Sequence, residues 1–175
     1  MPEDNKIKIQ YYQSPVGELL IGSFKNQLCL CDWRHRQARL TIDKRIQSAL
    51  KTTYLEANST VINATIEQLN SYFRQQRKQF DLPLLMLGTH FQQQVWQALQ
   101  TIPYGTSMSY QALANSIDNK KAVRAVANAN AANAISIIIP CHRVIASNGK
   151  LTGYAGGLNT KKQLLLLEQG QTNNN

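Results

Sequence analysis

The hydrophobic pattern of this chain changes its period once, near Leu85 to Gly88, and that change limits the fold more than any single motif. Before it, apolar residues fall in short runs: Ile7, Ile9 and Tyr11 alternate, Glu18 to Phe24 reads as a second strand, and Leu28 to Trp33 as a third. Ser14-Pro15-Val16-Gly17 and Lys25-Asn26-Gln27 supply the turns between them. Helical spacing follows at Ile42, Ile46, Ala49 and Leu50. It returns at Ile62, Ile66, Leu69 and Phe73, on a helix predicted to run to about Arg77. Phe80 to Leu84 reads as extended, and Pro83 keeps it out of a central strand position.

After the change the chain reads as helical. Thr89 with Gln92 forms a capping-box signature, opening a helix that buries Phe91, Val95, Trp96 and Leu99 and ends at Pro103-Tyr104-Gly105. Ser109 caps a short helix carrying Leu113, Ala114 and Ile117. Asp118-Asn119 is a turn, and Lys120 to Asn130 forms another helix. A last helix after Asn159 carries Leu164, Leu165 and Leu167 and stops near Gly170. The expected organisation is an α/β unit with a small antiparallel sheet over residues 1–86, a mainly helical unit over 87–170, and a polar tail over 171–175.

Composition narrows the class of partner. Nineteen basic residues face ten acidic ones, a net charge of +9, which suits a polyanion. No stretch approaches the roughly 20 apolar residues that span a bilayer, and the polar start Met1 to Lys6 lacks an apolar signal region. The three cysteines, Cys29, Cys31 and Cys141, are too few and too uneven for a disulfide scaffold. These readings place the chain in the cytoplasm, with no membrane partner and no cofactor.

Pro140-Cys141-His142-Arg143-Val144 carries the chemistry. It follows the apolar run Ile135 to Ile139, read as a buried strand or extended segment. The thiolate is the reactive form of cysteine, and a neighbouring base makes it available. A buried cysteine is commonly only a small hydrophobe, but the polar pair His142-Arg143 interrupts an apolar stretch and favours a nucleophile. Upstream, the two helices joined by Asp118-Asn119 fit either a helix-turn-helix or an ordinary αα-hairpin. The second holds six alanines between Ala122 and Ala132, with Arg124 as its charged side chain. Lys120 and Lys121 sit where they oppose the helix dipole, which a phosphate partner would explain. Cys29 and Cys31 would share one strand face, with His35 nearby and His90 as the remaining candidate ligand. A pair of core cysteines is the stronger reading, and no metal is assigned.

These motifs, together with Phe91 to Trp96, Ile102 to Thr106, Ser109-Tyr110-Gln111, Ala122 to Val126 and Gly153-Tyr154-Ala155-Gly156-Gly157, stand in the order found in the O6-alkylguanine-DNA alkyltransferases, which this chain resembles from about Phe91 to Glu168. The resemblance implies a ribonuclease-H-like N-terminal domain and a winged-helix-like helix-turn-helix in the C-terminal one. It implies irreversible, single-turnover transfer of an alkyl group from O6-alkylguanine in double-stranded DNA to Cys141, by a monomer working in the minor groove, and leaves open whether O4-alkylthymine is accepted. By the same resemblance His142 is the base, acting through a water. Glu168 holds His142, and Asn133 braces the turn before the nucleophile. Arg124 fills the gap left by a flipped nucleotide, Tyr110 contacts that nucleotide, and Ala122 and Ala125 lie along the DNA. Tyr154, Ala155 and Gly156 form the base pocket with the carbonyls of Cys141 and Val144, while Arg143 makes a structural salt bridge. Asn133 is followed by Ala134 where many members have proline.

Three rivals are weaker. A Cys-His hydrolase is disfavoured because neighbours on an extended segment point apart. A sensor-fused transcriptional regulator would need more cysteines and more length. A lesion-binding protein without repair activity would lack Cys141.

Overall fold

The computed structural model describes residues 2–171, so most of the expected tail, 172–175, lies outside the described residues. The chain divides into two compact units between Leu87 and Gly88. Among the described residues no helix is long and apolar enough to cross a membrane.

The first unit is a four-stranded sheet in the order β3-β2-β1-β4 with two helices. β1 (Ile7–Ser14), β2 (Gly17–Phe24) and β3 (Gln27–Trp33) pair antiparallel as two hairpins. The second hairpin turns on Lys25 and Asn26, both with positive φ, as a two-residue loop that matches strand twist requires. β4 (Tyr54–Glu56) adds beside β1 in parallel, Ile7 facing Tyr54. The sheet is therefore mixed, not antiparallel as expected. A three-residue strand gives no readable alternation, and its pairing is set by the α1 crossover. Pro83 to Leu85 runs along the outer edge of β3: the Leu28 N–H donates to the Pro83 carbonyl at 2.7 Å, and Leu85 N–H to the Leu28 carbonyl at 2.8 Å. Pro83 is tolerated there because an edge needs no further donor.

α1 (Arg39–Leu50) buries Ile42 and Ile46. α2 (Thr60–Phe73) is capped by Ser59, whose hydroxyl accepts from Ile62 N–H at 3.1 Å, and buries Val61, Ile62, Thr65, Leu69 and Tyr72. It stops about a turn before Arg77, with Gln75 in the left-handed region. The polar run Arg74 to Lys78 offers no apolar face, and burial is what sustains a short helix.

The pairing of β2 with β3 slips between Gly22 and Ser23, making Cys29 the extra residue of a bulge. This breaks the alternation that would put Cys29 and Cys31 on one face. Cys31 lies near the Tyr12 ring, whose hydroxyl bonds to Asn70 of α2. Cys29 lies near Tyr54, whose hydroxyl bonds to Asp43 of α1. Both thiols are buried and free, and His35 is exposed with its nearest carboxylate, Glu18, at 3.6 Å.

The second unit holds α3 (His90–Leu99), α4 (Tyr110–Ser116), α5 (Val123–Ala131) and α6 (Leu158–Glu168), with a two-stranded parallel pair, β5 (Met108–Ser109) and β6 (Val144–Ile145). The capping box of α3 forms as its spacing predicts: Gln92 N–H donates to the Thr89 hydroxyl at 3.1 Å, and the Gln92 side chain accepts from Thr89 N–H at 2.9 Å. Gly88 must be glycine, since a Cβ there would lie 2.4 Å from the Trp96 ring. Trp96 in turn donates to the Ala129 carbonyl at 2.8 Å and ties α3 to α5. α5 begins at Val123, three residues later than expected. Lys120 and Lys121 precede it in the turn, where Ala122 N–H bonds to the Asn119 carbonyl.

Candidate active site

The run Ile135 to Ile139 is buried as expected, but it is not a strand. It folds into consecutive tight turns. Ile138 N–H reaches back to the Ser136 carbonyl at 2.9 Å across Ile137, whose φ is +73°. Cys141 N–H reaches the Ile139 carbonyl at 2.8 Å across Pro140. A β-branched residue in the left-handed region costs about 1–3 kcal/mol and persists only where its surroundings force it. Asn133 supplies part of that force. Its amide donates to the Ile139 carbonyl at 2.9 Å, and its oxygen accepts from Ile135 N–H at 2.9 Å, so one buried side chain closes the loop that delivers Cys141. Ala134 follows without a proline, and the bracing bonds are made all the same.

Cys141 to Arg143 form a single 3₁₀ turn, not an extended segment, and all three side chains are buried. Successive side chains on such a turn are about 120° apart, so Cys141 and His142 still diverge. The His142 ring is fully buried. Its Nε2 bonds to Glu168 Oε1 at 2.7 Å, while its Nδ1 is buried with no hydrogen-bond partner among the described residues. Arg143 grips the same carboxylate with two nitrogens, each at 2.9 Å, and donates its third to the Ile102 carbonyl at 2.7 Å. Gly105 N–H adds a longer bond of 3.3 Å to Glu168 Oε2. Gly105 has φ +79°, and a Cβ there would lie 3.0 Å from the Glu168 carbonyl oxygen, so the turn Ile102 to Gly105 can close over the end of α6 only with glycine at this position.

The electrostatics follow from this packing. Burial alone would raise the Glu168 carboxyl, but His142 and Arg143 outweigh it and hold the group well below the usual carboxylate range. Burial pushes the His142 imidazolium down, with Glu168 pulling the other way, and the net direction is down. The ring is neutral near pH 7. A carboxylate accepts at Nε2, so that nitrogen carries the proton and Nδ1 presents its lone pair.

Sequence reasoning missed Lys161. It is fully buried on α6, its Nζ donates to the Thr152 carbonyl at 2.9 Å, and burial lowers its pKa while the nearby Cys141 sulfur pulls it back up. The signal was present in the spacing: Lys161, Leu164 and Glu168 lie on one helical face. The run of four leucines drew attention away from it.

The remaining residues fall around this centre. Val144 is buried in β6, where pairing with Met108 brings the start of α4, and so the half-buried Tyr110, beside the end of the active-site turn. Tyr154, Ala155 and Gly156 are half-buried in the loop before α6, where the Tyr154 carbonyl accepts from Gly157 N–H at 2.9 Å. Ala122 is the N-cap of α5. Arg124 and Ala125 are exposed on its first turn, sharing the outer face with Asn128 and Ala131, while Val126, Ala129, Asn130 and Asn133 face inward. Asn128 is a second polar group on that outer face which the sequence analysis did not single out.

A sequence model for the 6-O-methylguanine DNA methyltransferase ribonuclease-like domain matches residues 7–86, and one for the DNA binding domain of the same proteins matches residues 90–170. The chain belongs to this methyltransferase family. It is 40% identical over 157 residues to a methylated-DNA–protein-cysteine methyltransferase of Methanosarcina acetivorans, covering 90% of this chain and 95% of that one. It is 40% identical over 169 residues to the constitutive protein of that name from Bacillus subtilis, covering 90% and 94%. A crystal structure of Mycobacterium tuberculosis OGT in complex with DNA is similar at a TM-score of 0.80 and 39% identity, covering 93% of each chain. The family comprises proteins with the mixed α/β architecture and helical second unit described above, and the residues matched as its DNA binding domain contain every member of the Cys141–His142–Glu168 cluster.

Proposed function

We propose that this chain repairs DNA directly, by transferring an alkyl group from O6 of guanine to its own Cys141. The observation that carries this reading is the His142 ring, clamped by Glu168 at Nε2 and left with an unpaired, buried Nδ1 one residue from a cysteine. Nδ1 takes the thiol proton through a water, and the Glu168 carboxylate stabilises the imidazolium that results. The thiolate attacks the alkyl carbon. The carbon–sulfur bond forms as the carbon–oxygen bond breaks, and the electron pair leaves on O6 of the guanine. A thioether is a poor leaving group, so each molecule acts once.

The lesion reaches a buried sulfur only if its nucleotide leaves the helix, at a cost of a few kcal/mol. The exposed, alanine-rich face of α5 fits closely against a duplex, with Arg124 entering the stack in the minor groove and Ala122 and Ala125 along it. Tyr110 meets the extruded nucleotide. Tyr154, Ala155 and Gly156 wall the base, and the carbonyls of Cys141 and Val144 accept from its amine. On this reading residues 87–170 are the reacting and DNA-binding domain, with α4, α5 and the β5–β6 pair as a winged-helix-like module. Residues 1–86 are a ribonuclease-H-like domain, and the protein is a cytoplasmic monomer.

Intact mass before and after mixing with a methylguanine oligonucleotide tests the proposal. One methyl group is expected on the protein, mapped to Cys141 and abolished in Cys141→Ser. A gain mapped to Cys29 or Cys31, or one retained in the variant, would overturn it.

A further inference from the structure

No residue of the first unit enters the reaction above, yet that unit contains a cavity lined by three lysines, two serines and two asparagines, Asn5 and Asn26. It has a volume of about 340 Å³ and opens beside the N-terminus of α2. Lys6 and Lys8 of the β1 end, and Lys25 of the β2–β3 turn, line it against one acid, Asp4. Ser23 and Ser59 also line it, their hydroxyl oxygens 2.7 Å apart. Ser23 is 3% exposed. The two hydroxyls share one hydrogen bond, and Ser59 already accepts from Ile62 N–H. Whichever serine donates to the other, one hydroxyl proton of the pair is left without an acceptor among the described residues and is available to a ligand oxygen. Lys6 spends one of its three protons on the Thr53 hydroxyl at 2.8 Å, leaving two. The first turn of α2 carries no acidic residue of its own to answer the positive end of that helix.

We propose that this cavity is a binding site for a phosphate group. Three lysines line the cavity with two serines and two asparagines against one carboxylate, beside a helix N-terminus with no acid of its own, so the complement is an anion with several acceptor oxygens. A carboxylate offers two oxygens and one charge. A phosphate monoester offers three oxygens and close to two charges, matching three lysines set against one aspartate. The phosphate belongs either to a small phosphorylated molecule or to a DNA strand outside the reacting nucleotide, and the chemistry of recognition is the same for both. The site stands on the first unit alone and is independent of the reaction at Cys141.

The test is a titration of the full chain with inorganic phosphate at constant ionic strength, followed by backbone amide shifts. Saturable shifts are expected at Ser23, Lys25, Ser59 and Thr60, with Lys8→Gln and Lys25→Gln each weakening the affinity about tenfold. Unchanged melting temperatures would establish that both variants fold, and Ser23→Ala, which removes a hydroxyl without touching charge, should weaken binding as well. The source is separated by duplex affinity across a salt series. If the lysines hold a DNA phosphate, the double variant loses about one unit of log–log salt slope per contact; if they hold a free phosphate, the slope is unchanged and a nucleoside monophosphate competes with inorganic phosphate. Shifts spread over all surface lysines, or an affinity for phosphate equal in wild type and the three variants, would overturn the proposal.

Discussion

Each unit of this protein buries a carboxylate among arginines, and the difference between the two clusters separates support from chemistry. In the first unit Asp32 is fully buried and accepts from Arg36 and Arg39, each at 3.0 Å. Asp43 accepts from Arg39 at 2.9 Å and from the Tyr54 hydroxyl at 2.7 Å. In the second, Glu168 accepts from Arg143 twice and from His142. The first cluster contains no group that exchanges a proton near neutral pH: guanidinium stays charged, and burial beside Asp43 pushes the Tyr54 hydroxyl up. The second includes an imidazole with one nitrogen unpaired. The cysteines follow the same division. Burial raises Cys29 to about 12 and raises Cys31 as well, whereas Cys141 ends a strained turn beside His142 and close to Lys161. On the reading proposed above, one titratable partner with a spare lone pair, adjacent in sequence to a thiol, separates a reactive device from a structural one.

The sharpest way to break this comparison is kinetic. His142→Ala should slow single-turnover transfer by about 10²–10⁴-fold, the usual contribution of a positioned base. Glu168→Gln should slow it too. The double variant should lose much less than the product of the two, because both changes break one relay. Raising the pH should partly rescue all three by ionising the thiol directly. Fully multiplicative losses with no rescue would mean that the two residues act separately.

Stability gives the next largest effect. Asp32→Asn and Glu168→Gln each leave buried guanidinium charge without its carboxylate, and each should cost about 3–5 kcal/mol in denaturant unfolding. Only Glu168→Gln should change the transfer rate of the protein that remains folded. A rate loss of the same size in Asp32→Asn would erase the distinction between the clusters.

Arg124 sharpens the contrast at the surface. Arg124→Ala should slow transfer from duplex DNA about tenfold, the share of a few-kcal/mol extrusion cost that one side chain can offset, while leaving transfer from a free alkylguanine base unchanged. Arg34→Ala in the first unit, exposed and paired to Glu18 at 2.7 Å, should leave both rates as they are. Equal slowing on duplex and free base by Arg124→Ala would assign that residue to folding or chemistry instead.

The smallest effect is on pH-dependent stability. The folded pKa of His142 lies below its ordinary value of 6.5, so as pH falls through that range the unfolded chain takes up a proton that the folded one refuses, and stability drops. The folded pKa of Glu168 lies well below 4.5, so its contribution is fully present above 4.5 and is lost as pH falls further. Each contributes a slope of up to about 1.4 kcal/mol per pH unit within its window. Glu168→Gln should flatten the acid limb in urea midpoints measured against pH; an unchanged limb would place the acid sensitivity elsewhere.

Elements with their own periodicity were legible before folding. The two hairpins, the capping box at Thr89 and the Asp118 turn appear where their spacing predicts, because local sterics and capping bonds act within a few residues; the face of α3 buries Val95, Trp96 and Leu99 as expected, but Phe91, in its first turn, stays only half-buried. β4 was not legible, since three residues carry no period and its partner β1 is some fifty positions away. Nor was the bulge at Cys29, which depends on how β2 and β3 slip past one another. The end of α2 was misplaced because apolar spacing shows a helix's face, not its last hydrogen bond. In the site, Cys141 and His142 stood out from their own motif, Asn133 and Glu168 came from the resemblance, and the side-chain bonds of His142, Asn133 and Glu168 now have lengths. Lys161 was hidden because a lysine reads as a surface residue until the packing around it is known.

Legible in the sequence are the groups available: one cysteine beside a histidine, an acid a helix downstream, an alanine-rich helix whose one charged side chain is Arg124, and a basic excess. Those follow from residue identity and short-range order. Tertiary structure alone decided their states. The Glu168 carboxylate is a strong acceptor only because Arg143 and His142 converge on it from a turn that begins 27 residues earlier. His142 is neutral because it is buried, and only the folded surroundings of its ring leave Nδ1 without a hydrogen-bond partner among the described residues. Proton affinity depends on the dielectric and on the charges within a few ångströms, and those are set by parts of the chain that are distant in sequence.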